Sequence, residues 1–539
     1  MSVDYEYIVV GSGPSGAMAA QTLVEAGKQV ALVDVGVIGV DYESGMPETS
    51  YPEARRGDFN QHKYFLGESF EAVEWDDIKV GAQLTPARKH LIEKVDELIP
   101  MVSETFFPME SMAYGGLGSG WGLGSYVYSD IELKKAGLNP ERMKAAYQTV
   151  CDRIGISAGN DDLSPHIIGG LQNTLPPLQM DNSAEKLYVS YCKNRKAWMK
   201  RGVYFGRPAL ALLSQPFNGR QGTRYRDMDF YSDRERAAYR PWITVDALRQ
   251  RPNFTYLPDL LALKFVENES SVVVEAMNVG TLERKWLTGR VLLLAAGVLG
   301  SGRIVLRSFK SEVNRLPILC NPYSHLACLH LRMLGTPLSA EKTSASQALL
   351  IYDENNTGGN VVSTAIYTYR SLLLHKLVKE TPLNFADGAR IMDRLQSALM
   401  IVGIHHPDAA AERKYIQLIP KTDSPTGDAL FAHYESTETE TREIARNEKI
   451  IRRIYAKLGC YPIRSVHPGF GASIHYAGTL PFNSGSIRGT TSPNGRLNAT
   501  RSVFVADGSG FNHLPAKGIT LTLMANAHLT ALEALNHVG

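Results

Sequence analysis

An apolar run, Ile8-Val9-Val10, breaks into Gly11-Ser12-Gly13-Pro14-Ser15-Gly16 and then into Ala17-Met18-Ala19-Ala20. This junction constrains the fold more than any other stretch of the chain. The run has the pattern of a strand buried on both faces of a parallel sheet. Gly11 permits a tight turn out of it, Gly13 allows a ligand to approach the backbone, and Gly16 lets the next helix lie close to the strand. The helix expected over residues 15–26 aims its free N–H groups and the positive end of its dipole at the turn, which makes an anion site. Gly27 ends that helix. Residues 29–33 form a second apolar strand, and Asp34 follows 18 residues after Gly16, near the spacing of an acid that binds a ribose hydroxyl. Strand, turn, helix, strand and acid together predict a dinucleotide site. The acid would repel a 2′-phosphate, which leaves NAD or FAD, and the loop by itself does not choose between them.

With 539 residues the chain exceeds a single core, and two or three lobes are expected. Its 44% hydrophobic and 21% charged residues are those of an ordinary globular protein. A formal net charge of +2 gives no reason to expect nucleic acid or an anionic membrane as a partner. The longest apolar stretch, residues 291–300, contains two glycines and falls well short of the ~20 residues of a membrane helix. Asp4 and Glu6 stand where a secretory leader carries positive charge, so the expected location is cytoplasmic. The five cysteines are scattered and include no CxxC pair, which argues against disulfides or zinc. His325, Cys328 and His330 cluster locally, but no fourth ligand is spaced nearby and no metal site is expected.

Residues 37–110 are polar and irregular, with one helix expected over 86–98. Residues 114–124 hold six glycines around Trp121, a segment suited to meeting a ligand with its backbone. Residues 130–235 read as helical and loop-rich. Short strands follow over 253–263, 263–267, 271–278 and 284–287, a meander leading to a buried strand at 290–297 and a helix at 300–308. The end of such a strand, at the carboxyl edge of a parallel sheet, is where ligands sit. Runs at 348–352, 361–369, 398–404 and 415–419 predict an antiparallel sheet, with an amphipathic helix over 438–458. The tail is expected to return to the first lobe as a strand at 503–506 and a helix at 519–536. The fold class is therefore α/β with an α+β second lobe: residues 1–36, 86–130, 235–310 and 500–539 bind the dinucleotide, and 131–234 and 311–499 bind substrate and cap the site.

Four stretches in this order resemble the glucose–methanol–choline oxidoreductase family, which binds FAD. They are the N-terminal fingerprint with Asp34, the Gly115-Gly116 loop, the segment from Arg251-Pro252-Asn253-Phe254-Thr255 to Ala295-Ala296-Gly297-Val298-Leu299-Gly300-Ser301, and the pair His475-x-x-Gly478-Thr479 and Val505-Ala506-Asp507-Gly508-Ser509. The resemblance implies that Gly11, Gly13, Ser15, Gly16 and Asp34 hold the ADP half of FAD, and that Gly116 and Ser119 lie near the flavin or its phosphates. It places backbone near Ala262 at the adenine, and Ala296 and Gly297 in the dinucleotide cleft. Asp507, Gly508 and Thr520 complete the cofactor set, and His475 faces the flavin as the catalytic base. The loop around Trp121 is similar to that of sugar-oxidising branches, including pyranose oxidases. This chain departs from the family where Leu480-Pro481-Phe482-Asn483 follows Thr479 and where Gly518-Ile519 occupies the position of a second His or Asn. Asn512, His513 and Lys517 are candidates to replace that group. No histidine corresponds to the flavin-linking one of some members, so non-covalent FAD is expected.

The implied chemistry is oxidation of an alcohol. His475 takes the hydroxyl proton while hydride passes from carbon to flavin N5, and imidazole titrates in the right range for that task. His513, Asn512 or Lys517 would stabilise the developing alkoxide. His405, His406 and Trp121 are candidate substrate contacts. Together with Tyr352, Tyr367, Tyr369 and Asn356, they suggest a sugar, glycoside or polyol as the small-molecule alcohol. Oxygen or another carrier would reoxidise the flavin. Three alternatives stay open: a lyase that keeps FAD as architecture, a flavin monooxygenase or reductase, and a catalytically silent binding protein.

Overall fold

The structure is a computed structural model that describes residues 3–68, 85–337, 339, 341–368 and 382–538. It is a mixed α/β fold built around two large sheets. In the first, the strand Tyr5–Val10 pairs in parallel with Val30–Val33 on one side and with Arg284–Leu294 on the other. Val30–Val33 pairs in turn with Phe254–Leu257, and Val503–Val505 joins in parallel beside Leu292, Leu293 and Leu294. Ile8, Val9, Leu32, Leu293 and Val503 are fully buried, as expected of strands covered on both faces.

The strands expected over 284–287 and 290–297 are one continuous strand. Its first half closes an antiparallel meander with Leu260–Glu267 and Val272–Asn278, and its second half enters the parallel sheet. Gly289 marks the changeover and pairs with both Val272 and Tyr5. One hydrogen-bonded strand thus carries the meander's register into the ligand-binding edge.

The second sheet is antiparallel and orders as Tyr461–Val466, Tyr323–Leu329, Leu399–His405, Val362–Thr368, Ala348–Tyr352 and Val203–Gly206. Val203–Gly206 comes from the stretch read as helix and loop; its alternation is too short to stand out until it pairs with Ala348–Tyr352. Tyr369, part of the run read over 361–369, lies outside the described residues. The helix Glu438–Leu458 begins with a capping box, Thr437 against Glu440, and ends at Gly459 with φ +97, both standard devices for helix termini. The helix expected over 86–98 is instead a 3₁₀ helix, Pro86–Ile92, and a single turn, Val95–Leu98. Lys94, at φ +60, separates them.

The two ends of the chain meet. The C-terminal helix Thr520–Val538 lies against Pro14–Glu25, where Thr22 and His528 Nδ1 are 2.8 Å apart. The same helix contacts Pro140–Ile154, where the hydroxyls of Tyr147 and Thr522 are 2.8 Å apart. Among the described residues no helix is long and apolar enough to cross a membrane.

Candidate active site

Packing within the fold requires two of the three glycines of the opening loop. Gly11 has φ +101, and a Cβ there would lie 2.5 Å from the Ala295 carbonyl oxygen. A Cβ on Gly16 would lie 1.8 Å from the Gly11 oxygen. Both are dictated by contact between strand, turn and helix. Gly13 has an ordinary φ of −62, and the nearest atom to a Cβ there is the Gly115 oxygen at 3.9 Å. No protein atom excludes a side chain at Gly13; what lies in front of it is a cavity.

That cavity measures about 1200 Å³, beyond the roughly 300–1,000 Å³ of ordinary ligand pockets. Gly11, Gly13, Ser15, Asp34, Gly116, Ala262, Ala296, Gly297, Asp507, Gly508 and Thr520 line it, as do Trp121, His405 and His475. Gly297, at φ +77, would also carry a Cβ into open space. Gly16 and Ser119 stand behind the wall. Ser119 donates its hydroxyl to the Tyr114 carbonyl at 2.6 Å.

Asp34 ends the second strand and gathers a network. Ser12 donates its hydroxyl to Asp34 and accepts the Gly115 N–H at 2.8 Å. Tyr256 donates to the same carboxylate at 3.2 Å. Burial pushes the Asp34 carboxyl up to about 6 against these hydrogen bonds. Asp507 accepts the Ser301 hydroxyl at 2.6 Å and the Ser509 N–H at 3.0 Å, and burial raises it too. It ties the last strand of the parallel sheet to the helix Val298–Ser308. Open backbone at Gly13 and Gly297, a helix N-terminus above Gly13, and a carboxylate at the second strand end fit a dinucleotide such as FAD.

Further along the cavity stand two imidazoles. His475 follows Ile474, a β-branched residue at φ +59. Such a conformation costs of order 1–3 kcal/mol and persists only where surrounding contacts enforce it. The His475 ring is buried, which pushes it down to about 4. Nδ1 lies 3.1 Å from Asn321 Oδ1. The amide nitrogen of Asn321 donates to the carbonyls of His406, Leu514 and Pro515 at 2.7, 3.3 and 3.1 Å, so its oxygen must face His475. Asn321 therefore accepts from Nδ1–H and leaves Nε2 as the bare acceptor. His405 lies alongside with its ring centroid 5.0 Å from that of His475 and the planes 22° apart. Burial, then the neighbouring His475, His325 and His406, hold His405 well below its ordinary range. Tyr126, Tyr323 and Tyr367 line the same cavity.

Other sequence candidates lie elsewhere. His406 follows His405 at the end of a strand and is buried away from the cavity, because successive side chains alternate; its ring nitrogens meet no partner among the described residues. Asn512 is exposed and donates to the Phe482 carbonyl at 3.0 Å. His513 belongs to a two-residue strand paired with Asp408–Ala409, which keeps it off the cavity wall. Lys517 is held in a buried ion pair away from the cavity. Its Nζ is 2.7 Å from Glu132 Oε2, and both side chains are buried. Gly518 does line the cavity, but a Cβ there would stand 2.8 Å from the Gly124 oxygen. His325, Cys328 and His330 do not converge on a metal site; among the described residues no cluster suits a metal ion. Asn321 and Ile474 escaped sequence reasoning, since an isolated Asn-Pro and a lone isoleucine carry no local signal.

No family model and no curated protein matches the chain. Solved structures do. The crystal structure of pyridoxine 4-oxidase from Mesorbium loti aligns over 99% of this chain and 99% of that one, with a TM-score of 0.58 and 15% identity. At that identity the likeness is one of fold alone.

Proposed function

We propose that the protein is a flavoprotein oxidoreductase that binds FAD non-covalently and oxidises a CH–OH group of a small molecule. The observation that carries this reading is His475. It is a buried imidazole with a fixed tautomer, and it shares one cavity with Gly13, Asp34 and Gly297. The neighbour of the same fold is named pyridoxine 4-oxidase, which supports an oxidation.

In this reading Gly13 and Ser15 present backbone N–H groups to the pyrophosphate, Gly11, whose N–H is held by the Val33 carbonyl at 2.8 Å, shapes the turn, and Asp34 takes a ribose hydroxyl. Bound FAD would supply the hydride acceptor. Asn321 holds His475 with Nε2 bare, and Nε2 accepts the hydroxyl proton as the C–H bond breaks. A base depressed to about 4 is neutral, and so ready to accept, across the physiological range.

The phenols of Tyr126, Tyr323 and Tyr367, with Trp121 and His405, suit a hydroxyl-rich ring: a sugar, glycoside or polyol. Oxygen or another carrier would return the flavin to its oxidised form. The test is anaerobic addition of a panel of sugars, polyols and hydroxymethyl aromatics, pyridoxine included, to the flavin-loaded protein. Bleaching of the oxidised flavin band supports oxidation. Flavin that stays yellow with every alcohol while a substrate is still cleaved identifies a lyase instead.

A further inference from the structure

The antiparallel sheet brings to His475 a second imidazole that the C-terminal loop does not provide. His405 closes the strand Leu399–His405 of that sheet. Its ring lies between two others: His475 on one side, centroids 5.0 Å apart, and Tyr323 on the other at 4.4 Å. Among the described residues no hydrogen bond reaches its ring nitrogens. They are not sealed in protein either, in contrast to both nitrogens of His406; they open onto the cavity that His405 lines.

The two rings offer complementary faces of the same chemistry. Asn321 commits Nδ1–H of His475 and leaves it an acceptor. His405 has no such commitment, and a neutral imidazole always carries one N–H to give. Two rings this close do not both hold a charge, since protonating one disfavours protonating the other. His475 accepting a proton therefore keeps His405 neutral and donating. The C-terminal loop supplies no rival: Gly518 has no side chain and no room for one, and Lys517 is spent on Glu132.

The geometry points to His405 as a catalytic residue that donates its ring N–H to the substrate oxygen while His475 takes the hydroxyl proton, an inference that rests on the alcohol-oxidation reading above. In that step the O–H bond breaks and its proton goes to His475 Nε2. The C–H bond breaks and its electron pair goes with hydrogen to the bound flavin. The carbon–oxygen bond becomes a carbonyl, and His405 keeps its proton throughout.

The test compares flavin-loaded wild type with His405→Phe, which keeps a ring against Tyr323 but has no nitrogen, and His405→Asn, which restores a donor. Two measurements are made. One is the limiting rate of anaerobic flavin reduction at saturating alcohol. The other is equilibrium binding of 2,2,2-trifluoroethanol, an acidic alcohol, followed by perturbation of the flavin absorption band. The expected result is a limiting rate about 10²- to 10³-fold lower in His405→Phe, binding of trifluoroethanol at least about tenfold weaker, and partial recovery of both in His405→Asn. His405→Leu replaces His405→Phe if the latter does not retain flavin. A limiting rate within twofold of wild type overturns the proposal. So does a defect that saturating alcohol abolishes, since that marks a residue for binding alone. If no alcohol bleaches wild-type flavin, the oxidation reading fails; the trifluoroethanol comparison still decides whether His405 donates to a bound hydroxyl.

Discussion

Asn321 Oδ1 and His475 Nδ1 lie 3.1 Å apart although 154 positions separate the two residues. Three backbone carbonyls pin the amide nitrogen of Asn321, so the amide cannot turn over without losing all three bonds. The sheet strands on either side thus decide which nitrogen of His475 is free.

Asn321→Asp places a carboxylate against Nδ1–H. A neighbouring negative charge favours the imidazolium, so the His475 pKa rises from its value of about 4, by roughly 1–3 units. A base works only when neutral, so the acid limb of the rate–pH profile moves to higher pH by that amount. Asn321→Leu leaves the tautomer unspecified and lowers the limiting rate by about 10- to 100-fold. Rapid-reaction flavin reduction across pH 4–8 reads both effects; an unmoved acid limb in Asn321→Asp means that His475 is not the base.

Gly13→Ala and Gly16→Ala separate ligand space from fold space. The alanine at position 13 meets no protein atom closer than 3.9 Å, so the variant folds with a melting temperature near wild type and loses flavin affinity. The alanine at position 16 collides with the Gly11 carbonyl at 1.8 Å, and soluble yield collapses. Thermal melts and flavin titration distinguish them; normal flavin affinity in Gly13→Ala removes the phosphate from that turn.

Asp34→Asn has opposite effects on the empty and the loaded protein. Folding raises this carboxyl from 3.8 to about 6, so the native state disfavours its ionisation. The associated stability is complete below the unfolded pKa and lost as pH rises through about 6. An amide cannot ionise, so flavin-free Asp34→Asn is more stable than wild type at pH 8, by up to about 3 kcal/mol, and the advantage fades toward pH 4. Flavin affinity falls at least about tenfold, the cost of exchanging a charged acceptor for a neutral one. Denaturant melts at the two pH values and a flavin titration check both.

Lys517→Met tests whether the loop ahead of the last helix is scaffold. It leaves the buried Glu132 carboxylate without its partner, which costs about 3–5 kcal/mol. The limiting rate per bound flavin stays within about twofold. A large rate loss in the surviving folded protein would bring Lys517 back into the chemistry.

The residues from Ile8 to Asp34 determined their own structure, because a glycine turn between a buried strand and a helix is a local solution to local contacts. The place of Ala296, Gly297, Asp507 and Gly508 on the cavity wall was legible for the same reason: each lies at the end of an apolar strand, and strand ends of parallel sheets face clefts. His475 was legible only beside Gly478, Thr479 and Asp507. The rest depended on which distant strands pair. His405 and His406 are indistinguishable as a dipeptide, and only the register of Leu399–His405 against Tyr323–Leu329 and Val362–Thr368 turns one ring to the cavity and buries the other. Lys517 reads as a free charge until Glu132, 385 residues away, is folded against it. Asn321 acquires its task from three carbonyls it meets only in the folded chain. Local sequence carries backbone conformation, which depends on neighbours in the chain; the orientation of a proton-handling group depends on hydrogen bonds made across it, and those exist only after the sheets have paired.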